Sequence, residues 1–417
     1  MPTDAAAPGP ASAHSRQGPA SFHVLAKPTG AICNLDCDYC FFLAKEELYP
    51  GSTFRMAKPV LEAYISQLLA AHRTREVSIA WQGGEPTMMG LDFYRQVMRT
   101  VDRHRRPGQV VEHTIQTNAT LIDEAWAAFL AEHDFLVGVS IDGPAHLHDA
   151  YRKDKGGKPT FDRVVRGLRT LQAHGVRWNA LTTINSANED HPLEVYGFLR
   201  DDLGAEFIQF IPIVERPAPG GIPTGDQVTD RSVSPRGYGE FLSAVFDEWV
   251  RRDVGRVFVQ MFDTTLANYL DVPGGMCVHA RTCGTAVALE HTGDLYSCDH
   301  FVEPAHLLGN ITELPMLELI SSAQQVAFGQ AKRDDLPAYC RTCTVRFACH
   351  GGCPKDRFTT TPDGEPGLHY LCPSYKAFFT HVDRPMRFMA AALRTGRLAE
   401  EVIPWMARVD ARSPASS

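Results

Sequence analysis

From residue 22 onward, short apolar runs alternate with longer stretches in which apolar residues recur every three or four positions. The short runs predict strands at 22–27 (FHVLAK), 76–82, 110–117, 135–141 (FLVGVSI), 177–184 and 206–213 (EFIQFIPI). The amphipathic stretches predict helices near 59–72, 91–105, 123–132, 161–174 and 191–202. Pro59 and Pro192 fall in first helical turns, where a missing N–H costs nothing. A further helix at 236–252 carries Phe241, Val245, Phe246 and Trp249 on one stripe, expected to be core. Six strands alternating with helices imply an α/β fold with parallel strands, as an open sheet or partial barrel whose chemistry gathers at the strands' carboxyl ends. The Pro, Gly and Ser content of 214–235 reads as a long loop, and that of 1–20 as a disordered leader with no signal-peptide core.

At 417 residues the chain is too long for one ordinary core. Its 44% hydrophobic and 22% charged content fits a soluble globular enzyme. Acidic residues exceed basic ones, 49 to 41, so no nucleic-acid partner is indicated. Apolar runs stop well short of a membrane span, and with no signal segment a cytoplasmic location is expected. Eleven cysteines in tight groups argue for metal rather than disulfides.

Cys33, Cys37 and Cys40 form a CxxxCxxC motif after the first strand. Three thiolates leave one iron of a [4Fe-4S] cluster open to the amino and carboxylate groups of a small molecule, whereas a structural zinc site wants four ligands. The other eight are Cys277, Cys283, Cys298, Cys340, Cys343, Cys349, Cys353 and Cys372. Eight thiolates saturate two clusters, although two zinc sites also fit, and spacing alone would group 340 to 353 together. At the ends of the next strands lie Gln82-Gly83-Gly84-Glu85-Pro86, Gln116-Thr117-Asn118 and Ser140-Ile141-Asp142-Gly143. The glycines let backbone approach a ligand, the Glu85 carboxylate suits an ammonium group, and the short polar residues suit either helix caps or a ligand-facing rim. Arg152 is a candidate carboxylate clamp or a solvated charge in a basic run. Asp299 follows Cys298 directly, as a candidate general base or a turn residue.

The CxxxCxxC loop followed one strand later by the GGEP turn resembles the radical S-adenosylmethionine (SAM) enzymes. The later cysteines resemble the SPASM extension found on members that modify peptides and proteins. CNLDCDYCFF, WQGGEPT, QTNATLIDEAW, VGVSIDGP, YRKD, FIQFIP and YSCDHFV occur in order, and the span from about 22 to 385 resembles anaerobic sulfatase-maturating enzymes.

That resemblance implies a partial (β/α)6 TIM-like barrel over 21–235, a linking helical segment at 236–270, a SPASM domain with two auxiliary iron-sulfur clusters at 271–385, and a C-terminal helix and tail at 386–417. Three [4Fe-4S] clusters and SAM are the implied cofactors. Cys33, Cys37 and Cys40 would hold the SAM cluster, one auxiliary cluster would take Cys277, Cys283, Cys298 and Cys353, and the other Cys340, Cys343, Cys349 and Cys372. Tyr39, Gly83, Gly84, Glu85, Ser140, Arg152 and Val214 match SAM-contacting positions, and Asp299 the family's proton acceptor. The implied reaction oxidises a cysteine or serine to Cα-formylglycine in an unfolded or nascent sulfatase bearing a Cys/Ser-x-Pro-x-Arg motif, with flavodoxin or ferredoxin as electron donor. A maturase that crosslinks another ribosomal peptide is the alternative, since it would share all eleven cysteines.

Overall fold

The computed structural model describes residues 18–412. Most of the leader expected at 1–20 lies outside them, but Gly18 and Ala20 are tied down, their carbonyls accepting from the side chain and backbone of Arg73. The six strands fall where the hydrophobic runs put them: β1 His23–Lys27, β2 Glu76–Trp81, β3 Val110–Thr117, β4 Leu136–Ser140, β5 Arg177–Ile184 and β6 Phe207–Pro212. They pair in parallel in sequence order, so all six carboxyl ends share one rim. The crossovers are α1 Lys58–Ala71, α2 Leu91–His104, α3 Glu124–Glu132, α4 Ala145–Tyr151, α5 Phe161–Ala173 and α6 Pro192–Gly197, the last running into a π-helical turn at Phe198–Asp202.

The sheet does not stop at β6. The segment expected merely to link two domains holds α7 Gly237–Arg252, β7 Phe258–Val259 and α8 Gln260–Tyr269, and β7 adds a seventh parallel strand. Phe241, Val245, Phe246 and Trp249 are buried as expected. On the other side β8 Ala286–Glu290 pairs parallel with β1, setting Lys27 opposite Glu290, and β9 Asp294–Tyr296 and β10 Leu307–Asn310 follow antiparallel. The two regions thus share one ten-stranded sheet, ordered β10-β9-β8-β1-β2-β3-β4-β5-β6-β7.

Most of the rest of the chain is helical, including α9 Met316–Ile320, α10 Ala323–Asp334, α11 Ala338–Arg341, α12 Arg346–Cys349, α13 Cys372–His381, α14 Asp383–Arg394 and α15 Val402–Asp410, with one short antiparallel pair at Thr359–Thr360 and Pro366–Leu368. A boundary at 385 would cut α14 in its first turn, and two helices, α14 and α15, close the described chain. The 214–235 loop is lashed down: Lys45 Nζ donates to Gly221 O at 2.5 Å, and the Arg216 guanidinium stacks 4.6 Å above the Phe358 ring. Among the described residues no helix is long and apolar enough to cross a membrane.

Candidate functional site

Cys33, Cys37 and Cys40 lie on the loop leaving β1, and the turn after β2 braces that loop. Gly84 N donates to Gly30 O and Glu85 N to Ile32 O, both at 2.9 Å. A Cβ at Gly84 would sit 2.0 Å from Ile32 O, and Gly83, at φ +112°, would put one 2.8 Å from Gly30 O. The close approach these glycines permit is therefore that of the cysteine loop's own backbone. Glu85 secures the same turn through its side chain. Its fully buried carboxylate already accepts from Thr87 N (3.0 Å), Thr87 Oγ1 (2.5 Å), Thr117 Oγ1 (2.8 Å) and Asn118 N (2.8 Å), which locks the turn to the end of β3. Asn118 Nδ2 also reaches Cys33 Sγ at 3.6 Å.

A second knot stands at the end of β4. Asp142 Oδ2 accepts from the Tyr39 hydroxyl and from Arg152 Nε at 2.8 Å, while Oδ1 accepts from Thr183 N at 2.9 Å. Burial opposes a charge on Asp142, but the guanidinium outweighs it and holds the carboxyl below its ordinary value. Arg152 is buried, so it is not a solvated charge of a basic run. Ser140 is buried beside this knot in sequence, and Val214 packs against the main core as the chain leaves β6.

The third group joins the two regions. Lys27, 1% exposed at the end of β1, places its ammonium 2.8 Å from Asp299 Oδ1 and 3.4 Å from Glu290 Oε1, with the Phe42 ring 4.7 Å away. Burial works against this cation, yet the two carboxylates raise its pKa, so it stays protonated. Asp299 opens a short 3-10 turn, and the His300 ring packs 5.1 Å from Phe41, so aromatic rings wall this side. Sequence reading passed over Lys27 and Glu290. The one available signal was a charged residue closing each of two apolar runs, FHVLAK and AVALE.

All eleven cysteines are free thiols. Burial, Glu85 and the neighbouring thiols push Cys33 up to about 12, and burial is also the leading cause for Cys37, likewise about 12. In the second region Cys298 lies among the charges of Cys353 and Cys277, Cys353 feels Cys277, and Cys283 feels Cys277. Cys349 instead feels Cys372, Cys340 and Cys343, and Cys372 feels Cys340 and Cys343. These mutual charges group the thiols as a three and two fours, the fours interleaved in the chain. Partly buried thiols crowded this way resist losing protons singly, and bound iron removes that penalty, so the donors fit one open and two closed iron-sulfur clusters.

The Radical SAM superfamily profile matches residues 28–199 and the SPASM iron-sulfur cluster-binding domain residues 277–344. A serine-type anaerobic sulfatase-maturating enzyme of Bacteroides thetaiotaomicron is 43% identical over 381 residues, 89% of this chain and 92% of the relative. A cysteine-type enzyme of Clostridium perfringens is 32% identical over 86% of this chain and 95% of its own length. Among solved structures, native anSMEcpe with bound AdoMet and Cp18Cys peptide superposes with a TM-score of 0.80 at 32% identity, covering 89% of this chain and 99% of that one. With both cluster-binding regions matched and the relatives spanned nearly end to end, the chain belongs to the family of anaerobic sulfatase-maturating enzymes.

Proposed function

We propose that this protein oxidises a serine or cysteine of a sulfatase to Cα-formylglycine, independently of dioxygen. The carrying observation is the Asp299 carboxylate, fixed by a buried lysine and adjacent in sequence to Cys298. Cys33, Cys37 and Cys40 would hold the SAM cluster, and the two sets of four the auxiliary clusters. Bound there, these groups and SAM supply hydrogen removal from the target Cβ and an acceptor for the electron left behind.

The chain's own residues do the rest. Asp299 takes the proton from the substrate hydroxyl or thiol, so the side chain loses a hydrogen atom, a proton and an electron in all; a serine then stands as the aldehyde, and a cysteine as a thioaldehyde that water converts to the aldehyde with release of hydrogen sulfide. Lys27 holds that carboxylate in place, and Phe41, Phe42 and His300 keep water from the reacting side chain. Arg152, Tyr39, Ser140 and Val214 line the SAM side, with Asp142 orienting the first two. Gly83, Gly84 and Glu85 act by shaping the turn under the cysteine loop. A flavodoxin or ferredoxin feeds the electrons.

The test is mass spectrometry on Cys-x-Pro-x-Arg and Ser-x-Pro-x-Arg peptides incubated anaerobically with reconstituted protein, SAM and dithionite. A carbonyl product formed alongside 5'-deoxyadenosine and lost in D299N supports the reading. Deoxyadenosine with both peptides unchanged, or with a crosslink in place of a carbonyl, sinks it.

A further inference from the structure

Arg357 has no part in the site described above, and its surroundings are unusual for a cation. Its guanidinium donates to Gly351 O (Nε, 2.9 Å), Lys332 O (Nη1, 2.8 Å), His350 O (Nη2, 3.2 Å) and Gly352 O (Nη2, 3.3 Å). Three of these carbonyls are consecutive and belong to residues with positive φ, +48°, +76° and +63° for His350, Gly351 and Gly352. That left-handed run lies between Cys349 of one set of four and Cys353 of the other, so the arginine is seated in the strap that joins them. Space is tight there: a Cβ at Gly351 would come within 2.3 Å of Leu336 and 2.9 Å of the guanidinium.

Lys332 stands beside it, 1% exposed, donating to Cys277 O and to Val278 O at 2.9 Å. Among the described residues neither cation has a carboxylate partner, while nearby Lys355 is matched by Asp356 at 2.7 Å. The Arg357 charge is felt by Cys283 and Cys353 of one set and by Cys340 and Cys349 of the other, and that of Lys332 by Cys277, Cys283 and Cys353 of the first set. A half-buried cation without a counter-ion is costly, and the charge it lacks is that of four thiolates around an iron-sulfur core.

We propose that Arg357 is the shared counter-charge of the two auxiliary sites, with Lys332 serving the first set alone, and that together they raise the reduction potentials at which those sites accept an electron. This rests on the cluster assignment above. A positive charge held close to both sets favours the added electron at each, and the carbonyl cradle keeps it there whichever site is reduced. Arg357 is a positioning residue, acting through the groups that the cysteines hold.

The experiment is an EPR-monitored redox titration of the full chain carrying Cys33→Ala, Cys37→Ala and Cys40→Ala, which leaves only the auxiliary sites. R357Q is expected to lower both midpoint potentials by about tenfold in the reduction equilibrium, about 59 mV for a one-electron couple. R357K should recover most of the shift, because the charge returns without the fork, whereas a purely structural role would need the fork. Unchanged potentials in R357Q at full iron content overturn the proposal. Should R357Q not hold its iron, K332Q decides: a fall confined to one cluster supports the proposal, and no fall overturns it. Absence of auxiliary signals from the protein with Arg357 and Lys332 intact, by contrast, would bring down the cluster assignment itself.

Discussion

Lys27 and Asp299 form a buried ion pair at 2.8 Å that ties the first barrel strand to the residue following Cys298. Removing the ammonium takes the shared cation from the buried Glu290 carboxylate and from the partly buried Asp299. K27M is therefore expected to lose at least tenfold in formylglycine formation while 5'-deoxyadenosine is still released, and to lose about 3 kcal/mol of stability. The ratio of the two products, followed by liquid chromatography and mass spectrometry, checks this. K27R should recover part of the coupling.

At Gly84 an added Cβ would strike the carbonyl of Ile32 at 2.0 Å, a backbone contact that cannot rotate away. G84A should displace the first cysteine loop and spare the other eight cysteines. Iron content is expected to fall by about a third, with SAM cleavage lost and the auxiliary signals retained. Iron analysis alongside EPR distinguishes this from general misfolding.

The Asp142–Arg152 pair carries a further expectation, since both side chains are buried and Tyr39 bonds the same carboxylate. R152M and D142N should each destabilise by about 3 kcal/mol, and the double variant by clearly less than their sum, because each single change strands one buried charge or its donors. Denaturant unfolding of the four proteins measures the coupling. R152M should also weaken SAM binding in equilibrium dialysis.

His113 makes the pH dependence testable away from the cysteines. It is buried on β3 against the Phe135 ring at 4.9 Å, and burial lowers its pKa from 6.5 to about 4. The unfolded chain therefore binds more protons than the folded one between those values, so stability is lost as pH falls through that window. Between pH 7 and 5 this one residue should account for about 2 kcal/mol of the loss. H113F should flatten the slope by that amount relative to the wild type.

The barrel was legible in the sequence because six of its strands are apolar runs closed by turn residues, and each is found within a residue or so of its expected bounds. β8, β9 and β10 were not foreseen: they are three to five residues long, and the pairing of β8 with β1 that joins them to the barrel is a long-range choice that local pattern does not encode. The cysteine loop announced itself by spacing. The bracing role of Glu85 was not legible, because a carboxylate in a glycine turn looks free until Thr87 and, from the end of β3, Thr117 and Asn118 close on it. Lys27 was hidden for the complementary reason: a lone lysine ending a strand gives no hint of partners on β8 and beyond.

The parallel pairing of β8 with β1 has a mechanical consequence. Backbone hydrogen bonds run unbroken from the region of the eight cysteines into the barrel, so the two cannot hinge apart without breaking a ladder in the middle of the sheet. The separation between the first cysteine loop and the auxiliary sets is thereby frozen, and a peptide must be admitted without opening of domains. A chain cut before β8 would not be a smaller enzyme. It would bare β1 as an open, apolar edge ready to pair with another copy of itself.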